Sequence, residues 1–529
     1  VTSNASGASL DGGSGAARQA KRHHRLIDAG WLLAALTLCA AVYFPITRSY
    51  FFADDFLNLY GIVNDRPLQY LVTPNGGHML MMRNAIFYLT FQLFGPQPQY
   101  YYWSVFLTHL LNVYLLFRLV RLVTDSARLA SFGAALWGIS PSNEGTLGWY
   151  SVYGHVLVAT ALLLILHQAQ RLATRGCPQS RTQWWWCALA LGAATSFGTG
   201  IVVALLLPFV LLLLLPGWPA RSWRRPPLAS LLIAVPALYV SSNLLYTRLS
   251  GIDPLGGTAW RTLLGDLHGI AIIWAHLIAT GVTRLLLGFW FPSWAGPRLW
   301  YTVLAGFVVA LCLIARTSPA PVRRWLAACT ILVSGCYGLI AAARAVIILK
   351  LTPQLETTPP RYQYVAQLIL TLMLCLMLAR MGSVLHAWAK RLLLVAWYGL
   401  TLFSHARFAP PIDVHERARV DTRETLAAME ATARRSPPGE PVYIRNQSFK
   451  PLPFLPALFP GWAAAFVIFH PGTNTLDGRQ IYFVEENPGV IDATKHGKRT
   501  ATLFVPHAPS AAAAVPARPP GALDDPTRP

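Results

Sequence analysis

Two adjacent carboxylates, Asp54 and Asp55, stand in an otherwise aromatic stretch, Tyr50-Phe51-Phe52-Ala53-Asp54-Asp55-Phe56. Negative charge in apolar surroundings carries a desolvation penalty unless a partner or a reaction uses it. The pair is therefore the leading candidate for proton transfer, with a helix N-cap as the plainer role for one member. Further on, Asn75-Gly76-Gly77-His78 is a glycine turn that opens a helical stretch carrying Arg83. There His78 could bond an acceptor group or a phosphate and Arg83 could hold an anion, although a plain turn and a snorkelling arginine account for the same residues. The run from Ser140 to His155 holds one acid, Glu144, no Lys or Arg, and the polar or aromatic groups Trp149, Tyr153 and His155. Such a loop suits a polyhydroxylated ligand, whose C–H faces stack on rings and whose hydroxyls bond polar side chains. Interfacial anchoring explains the rings equally well, but not Glu144. Finally, Arg344, Lys350, Arg361 and Tyr362 precede a late apolar run. Arginine grips phosphate through paired hydrogen bonds; ordinary anionic headgroups are the alternative partner.

The elements that must position these residues are apolar helices. Of 529 residues, 54% are hydrophobic and 12% charged, about half the charged fraction of a soluble domain. The net charge of +21 is unevenly spread, because residues 405–529 hold 14 basic and 12 acidic groups while residues 1–404 hold 29 and 10. In the first part the basic groups sit in small clusters between apolar runs. That pattern marks membrane topology and not a nucleic-acid face. Roughly 20 apolar residues cross a bilayer, and candidate spans fall near 26–47, 100–122, 129–143, 152–170, 184–200, 201–216, 227–249, 298–315, 325–343, 362–380 and 392–406. The first follows Lys21-Arg22, is too long for a secretory signal peptide and reads as a retained span. With the N-terminus in the cytoplasm, 19 of the 29 basic residues lie inside and seven of the ten acids outside. This balance requires segment 262–290, interrupted by Arg261, Asp266, His268, His276 and Arg284, to lie along or dip into the outer face.

The expected fold is an all-α polytopic membrane protein of about eleven transmembrane helices, with an interfacial helix over Leu80–Phe94 in the first outer loop and a small α+β extracytoplasmic C-terminal domain. Its parts are a disordered basic cytoplasmic tail (1–25), a transmembrane domain (26–406) whose outer loop 48–99 carries the acids, the small domain (407–507), and a low-complexity tail (508–529). In the small domain, Asp421–Arg435 reads as a helix and Val442–Ile444 and Ile481–Val484 as strands. The seven cysteines form no CxxC pair, so neither a zinc site nor a disulfide framework is expected. The predicted location is the bacterial inner membrane.

At these motifs the chain resembles the GT-C superfamily of polytopic glycosyltransferases, which use polyprenyl-phosphate-linked sugars, and in particular the protein O-mannosyltransferase and TMTC-type branch with its bacterial relatives. The resemblance runs in order through Asp54-Asp55 after the first span, Gly77-His78 before a helix ending Phe94-Gly95, Thr108-His109-Leu110-Leu111-Asn112, Ser140-Pro141-Ser142-Asn143-Glu144, and Trp149. Arg361-Tyr362 is a weaker match. Ser196-Phe197-Gly198-Thr199-Gly200 stands where relatives often carry a Ser-Lys-Glu-like turn. The resemblance implies an inverting enzyme in which Asp55 or Asp54 is general base and Arg361, Lys350 or Arg344, with Tyr362, holds the lipid phosphate. It also implies that His78, Arg83, Glu144, Trp149, Tyr153 and His155 bind substrate. The implied donor is a polyprenyl-phosphate sugar and the acceptor a glycan, lipid or protein; membrane lipids are partners, nucleic acid is not, and no metal site is fixed. A transporter or flippase, or a polymerase or ligase of O-antigen type, is the alternative. Transporters place charge at mid-span and often show internal repeats, whereas here the acids gather at one surface.

Overall fold

The computed structural model describes residues 12–75, 78–175, 180–216, 228–251, 267–288, 296–351, 360–381, 412–435 and short pieces beyond, among them 442–446, 462–469, 475–476, 479–485 and 504–505. The chain is almost entirely helical. Helix α1 (Gly12–Tyr43) runs through a short 3-10 turn into α2 (Asp54–Asn64) and α3 (Pro67–Val72). The two-residue strands β1 (Pro74–Asn75) and β2 (His78–Met79) pair antiparallel, and α4 (Met81–Phe94) follows. Next come α5 (Pro98–Thr124), α6 (Ala127–Gly138), the single turn α7 (Glu144–Leu147), α8 (Gly154–Arg175), α9 (Ser180–Ala194), α10 (Gly198–Leu214) and α11 (Leu231–Ser250). The remaining helices of the bundle are α12 (Leu267–Leu287), α13 (Gly296–Thr317), α14 (Ala320–Leu351) and α15 (Tyr364–Met381).

Seven helices among the described residues are long and apolar enough to cross a membrane: Leu26–Arg48, Pro98–Thr124, Tyr150–Thr174, Leu267–Leu287, Arg298–Thr317, Ala320–Ala343 and Pro360–Met381. The expected count of eleven is therefore not reached. Helix α6 is 12 residues long and gives way to Ser140-Pro141, and α9 and α10, at 15 and 17 residues, are separated by a break at Thr195–Phe197. Helix α11 has the length but carries Pro236 and the polar Ser241, Ser242, Asn243 and Arg248. The expected span 392–406 falls partly outside the described residues, so it is not described as one continuous helix.

Segment 262–290 differs most from expectation. Residues 267–287 form one continuous apolar helix packed against α14 instead of a surface-lying element. Trp274 Nε1 donates to the Ser334 carbonyl at 2.9 Å, and the His276 ring meets Trp300 edge-on at 5.0 Å. Its polar groups thus face neighbouring helices. Residues 12–25, expected as a disordered tail, are the first turns of α1.

Small residues let the helices approach closely, as packing without a hydrophobic drive between helices demands. A Cβ added at Gly138 would strike Cys39, and one at Gly133 would strike Cys375. Polar cross-links fix the register: His109 Nδ1 and the Tyr364 hydroxyl lie 2.9 Å apart, Trp137 Nε1 donates to the Tyr364 carbonyl at 3.1 Å, and Asn112 Nδ2 donates to the Val156 carbonyl at 3.0 Å. Beyond the bundle, α16 (Ile412–Arg435) and α17 (Trp462–Phe469) accompany short strands. Strand β3 (Val442–Asn446) runs parallel to β5 (Arg479–Glu485), with Val442 opposite Ile481. Strand β5 also pairs β4 (Thr475–Leu476) and β6 (Phe504–Val505). The expected helix and both expected strand runs fall within α16, β3 and β5.

Candidate functional site

The acidic pair opens α2, where the free N–H groups of a helix favour negative charge. The preceding residue, Ala53, has φ +45°, a conformation that costs a non-glycine residue about 1–3 kcal/mol and concentrates at functional sites. The turn it makes lets Asp55 reach back, so that the Phe52 N–H donates to Oδ2 at 3.0 Å. Asp55 is wholly buried. Ser151 donates both its backbone N–H and its hydroxyl to Oδ1, each at 2.6 Å, and the Tyr102 hydroxyl approaches Oδ2 at 3.4 Å. Burial pushes the Asp55 carboxyl up from 3.8 to about 6; the Ser151 and Phe52 hydrogen bonds oppose the shift and the neighbouring Asp54 charge adds to it. Asp54, one position earlier, is only half-buried. The pair thus divides into an anchored member and a more accessible one.

Below the pair lies a polar network that spacing in the sequence does not reveal. Arg83 on α4 is buried, and its guanidinium donates to Asn58 Oδ1 at 2.7 Å, to the Ser151 carbonyl at 3.0 Å and to Asn84 Oδ1 at 3.1 Å. Burial lowers its pKa, while Tyr70, Asp54 and Asp55 raise it. Asn58 Nδ2 donates to Ser151 Oγ at 3.1 Å, and Asn84 Nδ2 to the carbonyls of Tyr70 and Thr73 at 3.0 and 3.2 Å. Arg83, expected to hold a substrate anion, is instead occupied by the protein's own groups: it pins α2, α4 and the 140–155 loop together. Tyr153 is likewise structural, stacked on Tyr150 and bonded to Thr108 Oγ1 at 2.7 Å.

The loop from Ser140 to His155 folds over this network as short helical turns. Trp149 meets Phe52 edge-on at 5.6 Å, and the Arg361 guanidinium lies 5.1 Å from the Trp149 ring and 5.1 Å from that of Tyr362. Phe52, Trp149, Arg361 and Tyr362 therefore form a continuous chain from the acidic pair to a cation, the geometry of a cation–π contact. Glu144 begins α7, five residues before Trp149, and is half-buried. Thr146 Oγ1 donates to the Arg361 carbonyl at 3.4 Å, which ties the two segments. His155 shares Phe197 with His78, at ring distances of 3.9 and 5.8 Å, and its Nδ1 lies 3.2 Å from Thr199 Oγ1. The Ser196–Gly200 turn thus supplies an aromatic platform between two histidines. Arg344 and Lys350 lie near the end of α14, but their side chains are outside the described residues, as is the Gly76-Gly77 turn.

Four buried polar atoms of this loop, Ser142 Oγ, Asn143 Oδ1, Trp149 Nε1 and His155 Nε2, have no hydrogen-bond partner among the described residues. Buried polar groups are nearly always satisfied in folded proteins, so such a concentration calls for a ligand or water. Among the described residues no cluster of three or more His, Cys, Asp or Glu is placed to hold a metal ion.

Two residues from the last part of the chain also enter the site. Arg419 on α16 is buried and donates to the Gly148 carbonyl at 2.5 Å, beside the Tyr102 hydroxyl that touches Asp55. Phe469 on α17 stacks on Tyr50 at 6.3 Å and 7° and meets Phe56 at 6.5 Å. Nothing in the spacing around Arg419 marks it, since one arginine among several on a polar helix looks like solvated surface.

No protein-family model matches the chain, and no curated protein matches it. Among solved structures it is similar to the crystal structure of ArnT from Cupriavidus metallidurans bound to undecaprenyl phosphate. The two share 12% of residues over 86% of each chain, with a TM-score of 0.35, a likeness too slight to assign an activity.

Proposed function

We propose that the protein is a membrane glycosyltransferase that moves a sugar from a polyprenyl-phosphate donor to an acceptor hydroxyl on a glycan, lipid or protein. The observation that carries this reading is the set of four unsatisfied buried polar atoms in the 142–155 loop, which also bonds the acidic pair and meets Arg361. A ligand with several hydroxyls and one phosphate fits that combination of groups. The acceptor oxygen attacks the anomeric carbon as Asp54 takes its proton, and the bond from that carbon to the phosphate oxygen breaks. The lipid phosphate leaves as an anion, which Arg361 stabilises electrostatically. Attack opposite the leaving phosphate inverts the anomeric centre. Asp55, held by Ser151 and Phe52, keeps the α2 N-terminus and Asp54 in place. Trp149, Glu144, His78 and His155 orient the donor or acceptor.

The active end is the extracytoplasmic one, with the basic ends of α5 and α8 toward the cytoplasm of a bacterial inner membrane. Cysteines introduced at exposed positions of the first outer loop are then labelled by an impermeant reagent in intact cells. The decisive experiment pairs Asp54→Asn with mass spectrometry of the purified protein. The variant is expected to retain co-purified polyprenyl phosphate and to lose transfer by about a hundredfold or more. Full transfer by Asp54→Asn removes the base, and absence of any polyprenyl phosphate from the active protein removes the donor.

A further inference from the structure

A cationic cavity lies at the opposite end of the bundle from Asp55. Tyr102, which touches Asp55, and Arg121 stand nineteen residues apart on α5, so about 28 Å separates the two levels. That is close to the hydrocarbon thickness of one bilayer. The cavity, of about 630 Å³, is bordered by the middle of α1 and the C-terminal parts of α5 and α8. Asp28, Arg118, Arg121, Asp125, His167 and Arg171 form its polar walls, and Leu32, Phe117 and Leu122 supply apolar surface. A second cavity of about 340 Å³ shares Arg171 and adds Arg181 and Trp185 from α9.

The charges in this pair of cavities do not cancel. Arg121 engages both acids, donating from Nε to Asp28 at 3.1 Å and from Nη1 to Asp125. Among the described residues no carboxylate stands within salt-bridge distance of Arg118, Arg171 or Arg181. The Nδ1 of His167, on the cavity wall, is buried without a hydrogen-bond partner among the described residues. Snorkelling alone carries arginine tips into bulk solvent from separate helix faces. Here three arginines from three helices border two neighbouring cavities that share Arg171 and carry apolar lining. Trp184 and Trp185, 62% and 50% exposed, stand at the same level, where indole rings anchor at a membrane interface.

We propose that these cavities bind an anionic phospholipid of the leaflet opposite Asp55. Arg118, Arg171 and Arg181 grip the phosphodiester oxygens, and Leu32, Phe117 and Leu122 take the upper part of an acyl chain. The phosphate chemistry is shared with free inorganic phosphate, and the apolar surface is what selects the lipid.

The test uses the full chain in nanodiscs of mixed phosphatidylcholine and phosphatidylglycerol, with native mass spectrometry counting retained lipids. The wild-type protein is expected to retain phosphatidylglycerol about tenfold above its bulk share. Arg118→Gln with Arg171→Gln is expected to abolish that enrichment, whereas the paired control Arg316→Gln with Arg323→Gln, outside the cavities, keeps it. Ala29→Phe, which fills the cavity and leaves every charge in place, is expected to lower retention as well, so the outcome does not depend on how well the arginine variant folds. No enrichment in the wild-type protein, or equal enrichment in the cavity variants, overturns the proposal. Displacement of the lipid by inorganic phosphate overturns the lipid in favour of a soluble anion.

Discussion

The hydroxyl of Ser151 is the most informative atom to remove. It donates to Asp55 Oδ1 at 2.6 Å inside a fully buried site, and this bond favours the ionised carboxylate against the burial that raises its pKa to about 6. A hydrogen bond to a charged group contributes about 1.5–3 kcal/mol, and one pKa unit corresponds to about 1.4 kcal/mol. Ser151→Ala therefore lifts the Asp55 pKa by about one to two units, to roughly 7–8. The Ser151 backbone N–H still donates to the same oxygen, so the carboxyl stays in place. The assay is infrared difference spectroscopy across a pH titration. It follows the C=O stretch of the protonated acid, with Asp55→Asn to assign the band. The expected result is a band that titrates near 6 in the wild-type protein and one to two units higher in the variant. A wild-type band titrating near 4, or one that Ser151→Ala leaves unmoved, refutes the account of how burial and hydrogen bonding balance at Asp55.

Three further outcomes follow from the same geometry. Because the Asp55 pKa is raised on folding, the native state keeps a proton that the unfolded chain releases between pH 3.8 and about 6, so stability falls through that window by about 3 kcal/mol and levels off above it. Thermal unfolding of Asp55→Asn at several pH values is expected to lack this slope. Arg83→Met orphans the acceptors on Asn58 and Ser151 and is expected to lower stability by about 3 kcal/mol; an unchanged melting temperature contradicts the pinning role. Arg419→Ala removes the bond to Gly148 and is expected to make α16 about tenfold more sensitive to limited proteolysis, with the bundle helices unaffected.

The long spans and the acidic pair were legible because each is a local signal: twenty apolar residues in a row, or two carboxylates among rings. Segment 262–290 was misread for an equally physical reason. His276 interrupts its apolar run, but the fold aims that ring at Trp300 and places Thr280 Oγ1 on the His276 carbonyl at 2.9 Å, and no local window contains Trp300. Arg83 shows the reverse error. An arginine after a glycine turn looks available to a ligand, and only the three-dimensional arrival of Asn58 and Ser151 shows that its donors are taken. Ser151 lies in the polar and aromatic run from Ser140 to His155, yet 96 residues separate it from Asp55. Arg419 carried no signal at all.

The bond from Arg419 to Gly148 spans 271 residues of chain. During synthesis the first spans, the acidic pair and the loop above it leave the ribosome long before residue 419 exists. At a few residues per second, tens of seconds pass in which Asp55 already has Ser151 but Gly148 lacks its guanidinium. The early spans are thus in place before Arg419 can reach Gly148, and the docking of α16 is a late step of biogenesis.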